Sequence, residues 1–225
     1  MEEPPRESVR LRFRRLAGAV SGCLATEGYC ARGQTFWHST PHLRRVIILW
    51  RSRWNTANEC SFAFTLGIFV PKFHESLTGL PDPAYPTSEA LAISLGIDQI
   101  PHHPPTKRTI SWELTDSNSH RDAKIQQQVL KELRDYVLPF LGRFTTLSDV
   151  IDYLLWVRSI SASHPQWRPT RPNDVWLPVY LAVLWSLSGD KTEAQREIEF
   201  ALSSVHGSYF REKVLAIRER LFSSR

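Results

Sequence analysis

The chain has 225 residues, 42% of them hydrophobic and 23% charged, which is enough to bury a core and excludes a disordered polyelectrolyte. Its net charge of +5 sits in residues 1–60, where ten Arg face five Glu, and the remainder balances to zero. That excess is modest for nucleic-acid binding and fits solvated arginines on a helix and two strands, though it also provides a basic face for an acidic partner.

The N-terminus, Met1-Glu2-Glu3-Pro4-Pro5, is acidic and lacks the apolar stretch of a signal peptide, so a cytoplasmic location is expected. Cys23, Cys30 and Cys60 make no even set and no C-x-x-C pair; reduced, buried thiols are expected rather than disulfides or a metal centre. The first predicted helix runs from about Ser8 to Thr26. Val9, Phe13, Leu16, Val20 and Leu24 form its apolar stripe, and Arg10, Arg12, Arg14 and Arg15 are expected to lie off it, towards water or a partner. Gly28 stands where a helix end favours positive φ.

Three strand-like runs follow, giving an antiparallel β-meander from about Tyr29 to Val70. Tyr29–Trp37 alternates loosely, and residues 38–41 mark a turn. Leu43–Ser52, with Val46, Ile47, Ile48, Leu49 and Trp50, is predicted to be a central strand buried on both faces. After a turn at residues 53–58, Cys60, Phe62, Phe64, Leu66 and Ile68 alternate with smaller residues up to Pro71. Such short connections make neighbouring strands antiparallel. Beyond a proline-rich loop, Ala90–Gly96 reads as a fourth strand, with a short helix over Ser88–Leu95 as the competing reading, since Glu89, Ala90 and Leu91 favour helix. Ile110–Leu114, centred on Trp112, reads as a fifth.

From Arg121 onward the pattern is helical. Ile125, Val129, Leu133 and Val137 make a stripe that Pro139 ends or kinks. Thr146 with Asp149 resembles a capping box, as does Asp190 with Glu193. The apolar run Val175–Leu187 is too short to span a bilayer and contains Pro178, so it is read as a core helix. Phe210, Val214, Ile217 and Leu221 form the face of a last helix. The predicted fold class is therefore α+β: an antiparallel sheet packed by an N-terminal helix and a C-terminal helical bundle, with an α+β domain over 1–143 and a helical extension over 144–225. Residues 178–204 are also similar in spacing to one tetratricopeptide-type helix pair, but without a second copy they read as a helical hairpin of the core.

Several short segments occur in a recognisable order. Gly28-Tyr29-Cys30-Ala31-Arg32-Gly33-Gln34-Thr35-Phe36 is followed by Val46 to Asn55, then by Phe62-Ala63-Phe64-Thr65-Leu66-Gly67-Ile68-Phe69, and later by Ser111-Trp112-Glu113-Leu114. Over roughly residues 8–140 this resembles the bacterial family catalogued as domain of unknown function 4304. Its pattern is a helix, a "GF-x-x-x-G-x-x-F" strand, an apolar strand ending "Q-x-S-x-W", a strand reading "F-x-x-N-L-G", and a tryptophan-containing strand. Two positions depart from it: Trp50 stands at the glutamine and Thr65 at the asparagine. The resemblance implies a fold, not an activity.

No G-x-G-x-x-G, P-loop, H-E-x-x-H or G-x-S-x-G motif occurs, so no catalytic residue, cofactor or metal is assigned. His102-His103, flanked by Pro101 and Pro104, lacks the i, i+2 or i, i+4 spacing that chelation needs and reads as an exposed stiff loop. Asp149 and Asp152 read as capping and surface charge. Arg51, Arg53 and Trp54, at the end of the central strand, are the leading binding candidates. Two guanidinium groups on one strand face beside an indole suit a phosphate, a carboxylate or a stacked base, or else close the sheet end by Arg–Trp packing. Arg10 and Arg14 extend this basic face.

These features lead to an expectation of a non-catalytic cytoplasmic protein that binds another protein, as an accessory or toxin-antidote type of factor. The alternatives are nucleic-acid binding through Arg10, Arg14, Arg51 and Arg53, and a small-ligand binder or enzyme with an unrecognised pocket. No membrane association is expected.

Overall fold

A computed structural model describes residues 7–101, 103–104, 110–161, 176–204 and 207–223. The protein is α+β, built on a six-stranded antiparallel sheet with strand order β1-β2-β3-β4-β5 and β6 also paired to β4. The strands are β1 (Cys30–Arg32), β2 (Thr35–Ser39), β3 (Arg44–Arg51), β4 (Glu59–Phe69), β5 (Ile93–Gly96) and β6 (Trp112–Thr115). Their contacts, with those of the helices, divide the chain into two compact units. One comprises residues 1–38, 46–66 and 96–140, the other residues 39–45, 67–95 and 141–225.

In the first unit, helix α1 (Val9–Thr26) buries the expected stripe: Val9, Phe13, Leu16, Val20 and Leu24 are all buried. Phe13 meets Phe62 edge-on at 5.4 Å, and Phe62 stacks on Trp112 at 5.8 Å. Phe64 adds a second edge contact with Trp112 at 5.7 Å. Burying an aromatic of this size is worth roughly 2–3 kcal/mol, so this cluster joins α1, β4 and β6. The register Phe62↔Trp112, Cys60↔Leu114 supports it. Gly28, with φ of 78°, follows α1 as expected.

The segment read as a single strand from Tyr29 to Trp37 is instead a hairpin. Gly33 adopts φ of 62°, which reverses the chain between β1 and β2; the alternation signal passed over it because Arg32 and Gln34 are polar on either side. The predicted strand at 110–114 begins two residues later, at Trp112. Helix α3 (Asp122–Glu132) buries Ile125 and Val129 and runs into a π-helical turn over Leu133–Val137 before α4 (Leu138–Gly142). Pro139 has no amide hydrogen to give the carbonyl of residue 135, and its ring crowds that group, so a widened turn ahead of it is the expected accommodation.

Arg12 is the principal departure along α1. It is 3% exposed, not turned to solvent. Its Nε and Nη2 donate to the two carboxylate oxygens of Asp122 at 2.6 and 2.5 Å, and Nη1 donates to the Thr115 carbonyl at 3.0 Å. Arg15 extends the pair to Glu7 at 2.6 Å. The stripe rule cannot foresee this, because a carboxylate 110 positions away makes burial of the guanidinium tolerable.

In the second unit, the end of β4 lies against β5. Ala92 donates its N–H to the Ile68 carbonyl at 2.8 Å. The Ser88–Gly96 ambiguity resolves as a strand preceded by a single 3-10 turn at Ser88–Ala90. Arg45 donates to the carbonyls of Phe144 and Gly142 at 2.8 and 3.2 Å. Helix α5 (Leu147–Ser161) opens with the expected box. Asp149 accepts the Thr146 N–H at 2.8 Å, and Thr146 Oγ1 accepts the Asp149 N–H at 3.3 Å.

Helices α6 (Leu177–Ser188) and α7 (Lys191–Ser204) form the expected hairpin, with Asp190 accepting the Glu193 N–H at 3.0 Å. Val175, at the start of the predicted apolar run, lies outside the described residues. Phe73, from α2 (Phe73–Thr78), meets Tyr180 edge-on at 5.0 Å. Helix α8 (Ser208–Phe222) buries Val214 and Ile217, and Arg220 reaches back to the Ser76 and Leu77 carbonyls at 2.9 and 2.5 Å. No described helix is long and apolar enough to cross a membrane.

Candidate functional site

β3 is read as buried on both faces, and it is so only in its middle. Trp50 is 51% exposed and Arg51 ends the strand in solvent. Arg53 and Trp54 fall past that end, in the turn, so the two arginines do not share a strand face. The turn is held by the Asn55 side chain. Its Nδ2 donates to the Ser61 carbonyl at 3.1 Å and lies 3.4 Å from Cys60 Sγ, while its Oδ1 accepts the Ser61 N–H at 2.8 Å. Ser52 Oγ accepts the Trp54 N–H at 3.2 Å. An Asn whose amide and carbonyl are both used this way fixes the loop before any ligand arrives.

Each arginine lies over an aromatic ring. The Arg51 guanidinium carbon is 5.3 Å from the Phe13 ring centre, and that of Arg53 is 4.9 Å from the Trp54 ring centre. The expected Arg–Trp packing is thus present at Arg53, while Arg51 turns to α1. Stacking covers a guanidinium face and leaves its in-plane N–H donors open. Arg10, Arg14, Arg51 and Arg53 make no ion pair or hydrogen bond among the described residues. By contrast, Arg12, Arg15 and Arg45 are engaged as described, and Arg44 lies over Phe69 at 5.4 Å.

Arg10, Arg51 and Arg53 come together around a cleft of about 870 Å³, where the start of α1 faces the end of β3 and its turn. Ser8, Phe13, Gln34, Trp50, Glu59 and Cys60 are among its other lining residues; Arg14 and Trp54 are not. Among the described residues, Glu59 is the one carboxylate in the lining. A hydrogen bond between Glu59 and Glu113 raises the Glu113 carboxyl above the ordinary range, helped by burial and by the Glu59 charge. The two sit on diagonal positions of the β4–β6 ladder. Burial pushes the Cys60 thiol up, against a smaller downward pull from Arg51, so Cys60 is a packing thiol and not an activated nucleophile. Contrary to the expectation of three buried thiols, only Cys60 is buried: Cys23 is half-buried on α1, and Cys30 is exposed on β1, a short strand with every residue exposed.

His103 is not exposed either. Its side chain is 4% accessible, with Nε2 3.0 Å from Glu132 and Nδ1 2.9 Å from the Pro104 carbonyl. It also packs on Tyr136 at 4.5 Å. His102 lies outside the described residues. Among the described residues, no three His, Cys, Asp or Glu side chains are grouped to hold a metal ion. Asp149 is spent on capping, and Asp152 lies 3.5 Å from Ser148 Oγ.

No curated protein and no solved structure matches the chain. A family model does match, over residues 20–143, which include the β-meander, the tryptophan strand and helix α3. This span is more than half of the sequence, and the segments that carry the resemblance lie within it. The chain therefore belongs to the family described as domain of unknown function (DUF4304).

Proposed function

We propose that the protein is a non-catalytic, cytoplasmic accessory protein that binds another protein, and that its cationic cleft receives an acidic segment of that partner. The observation that carries this reading is a set of arginines that have no carboxylate partner among the described residues. Three of them line one cleft beside an exposed tryptophan. Arg and Trp are the residue types that most often anchor protein interfaces. A guanidinium stacked on a ring loses little conformational freedom when it binds. Trp54, 76% exposed next to Arg53, enlarges the apolar part of the surface. A non-catalytic role is supported by the chemistry of the lining: the Cys60 thiol is raised, the Ser52 hydroxyl serves the turn, and Asn55 is fully engaged.

A photo-crosslinking residue at position 54, in cells, tests the proposal. The expected result is a discrete protein adduct whose acidic segment is identified by mass spectrometry, and which is lost on Arg51→Glu or Arg53→Glu. Adducts with nucleic acid alone would favour the basic-face alternative, whose affinity should fall steeply with salt. Absence of any arginine-dependent protein adduct would overturn the proposal.

A further inference from the structure

We infer that the cleft recognises a phosphomonoester carried on a side chain of the partner protein, its oxygens held by Arg10 and Arg51 with Arg53 completing the positive rim. The inference rests on the protein-binding reading above and names the group that this site selects. Charge balance leads to it. Among the described residues the lining holds three arginines and one glutamate, and three minus one leaves +2. A single carboxylate side chain neutralises half of that excess, whereas a phosphorylated side chain brings about −1.5 to −2 at neutral pH.

Geometry points the same way. Arg51 on Phe13 and Arg53 on Trp54 are flat donors with covered faces, the form in which guanidinium binds phosphate oxygens in pairs. Asn55 holds the turn bearing Arg53 in place. The first turn of α1 contributes Ser8 and Arg10 to the same lining. It contains no acidic residue, and Ser8 makes no capping bond with its side chain, so orphan backbone donors there add to the positive field. A nucleic-acid strand asks for cations spread along several successive phosphates. Here Arg10, Arg51 and Arg53 line a single cleft, and Arg14 stands outside its lining.

The test uses the full-length protein and labelled nonapeptides in fluorescence anisotropy. The peptides are a phosphoserine flanked by Gly, Ala and Ser, the same peptide with Glu at the centre, and the same peptide unmodified. A ten-residue oligothymidylate is the fourth probe. The expected result is phosphopeptide binding at least about tenfold tighter than the Glu form, displaced by inorganic phosphate. Arg51→Gln and Arg10→Gln should each weaken it by about tenfold or more, and Arg51→Lys should not restore it, because Lys cannot bind two oxygens in a fork. Arg134→Gln, an exposed arginine away from the cleft, should leave binding unchanged. Circular dichroism of each variant separates lost binding from lost folding.

Equal binding of the Glu and phosphoserine peptides, with dependence on Arg51, would overturn the phosphate inference and leave the protein-binding reading standing. No binding of the phosphopeptide, or tighter binding of the oligonucleotide, would overturn the inference. The second result would also count against the protein-binding reading.

Discussion

Replacing Asp122 by Ala removes both oxygens that hold Arg12 while leaving the guanidinium where it is. The Arg12 side chain is 2% exposed and that of Asp122 is 17% exposed, so the cost falls unequally on the two partners. Breaking a buried pair by deleting one member costs about 3–5 kcal/mol. Arg12 keeps the Thr115 carbonyl at 3.0 Å and Asp116 at 4.0 Å, which places Asp122→Ala near the lower end, about 3 kcal/mol. Arg12→Met removes the buried charge and retains most of the stem's packing. The Asp122 it leaves behind is partly hydrated and 3.5 Å from Arg15, so about 1–2 kcal/mol is expected. The double variant should cost less than the sum of the two, with a coupling of about 2 kcal/mol. Urea unfolding followed by tryptophan fluorescence and by circular dichroism measures all three. If the two single changes add within about 0.5 kcal/mol, or if Arg12→Met is the more damaging, the pair is not the buried unit described.

Gly67→Ala should destabilise the β4–β5 edge by about 1–3 kcal/mol, because an added Cβ would lie 2.4 Å from both the Ile93 carbonyl oxygen and Leu91 Cδ1. Gly142→Ala, where nothing lies within 4 Å, should change stability by less than about 0.5 kcal/mol; equal melting temperatures for the two variants would contradict this. Asp149 accepts N–H bonds from Thr145 and Thr146, and these hold its carboxyl below the ordinary aspartate value of 3.8. A depressed folded pKa stabilises at pH above the unfolded value and loses that contribution as pH falls through the folded one. Asp149→Ala should therefore cost about 1 kcal/mol near pH 7, with the difference from the parent closing in the acid range below the ordinary value. A cost that persists undiminished into strong acid would show that the loss is packing and not the cap.

How much of this protein was legible in its sequence follows from the range of each interaction. The stripe of α1, the alternation of β4, the box at Thr146, the single cap bond at Asp190 and the effect of Pro139 all depend on neighbours within a few residues, so spacing alone determined them. The family segments were legible for the same reason, as short patterns in order. The candidate site is partly legible: the pattern points to Arg10, Arg14, Arg51, Arg53 and Trp54, and these arginines have no carboxylate partner among the described residues.

Only the tertiary structure decided which arginines those would be. Arg10 and Arg12 look alike along the chain, yet Asp122 meets one and not the other. It also decided that Arg10, Arg51 and Arg53 line one cleft while Arg14 and Trp54 stand outside its lining. The roles of Asn55 and Glu113 had no signal in local spacing, because the first acts through a turn closed across two strands and the second through a ladder partner more than fifty residues away. Sequence periodicity reports which side of an element faces apolar surroundings. It carries no information about which distant charge waits there, and that pairing, set by the fold, leaves the cleft positive.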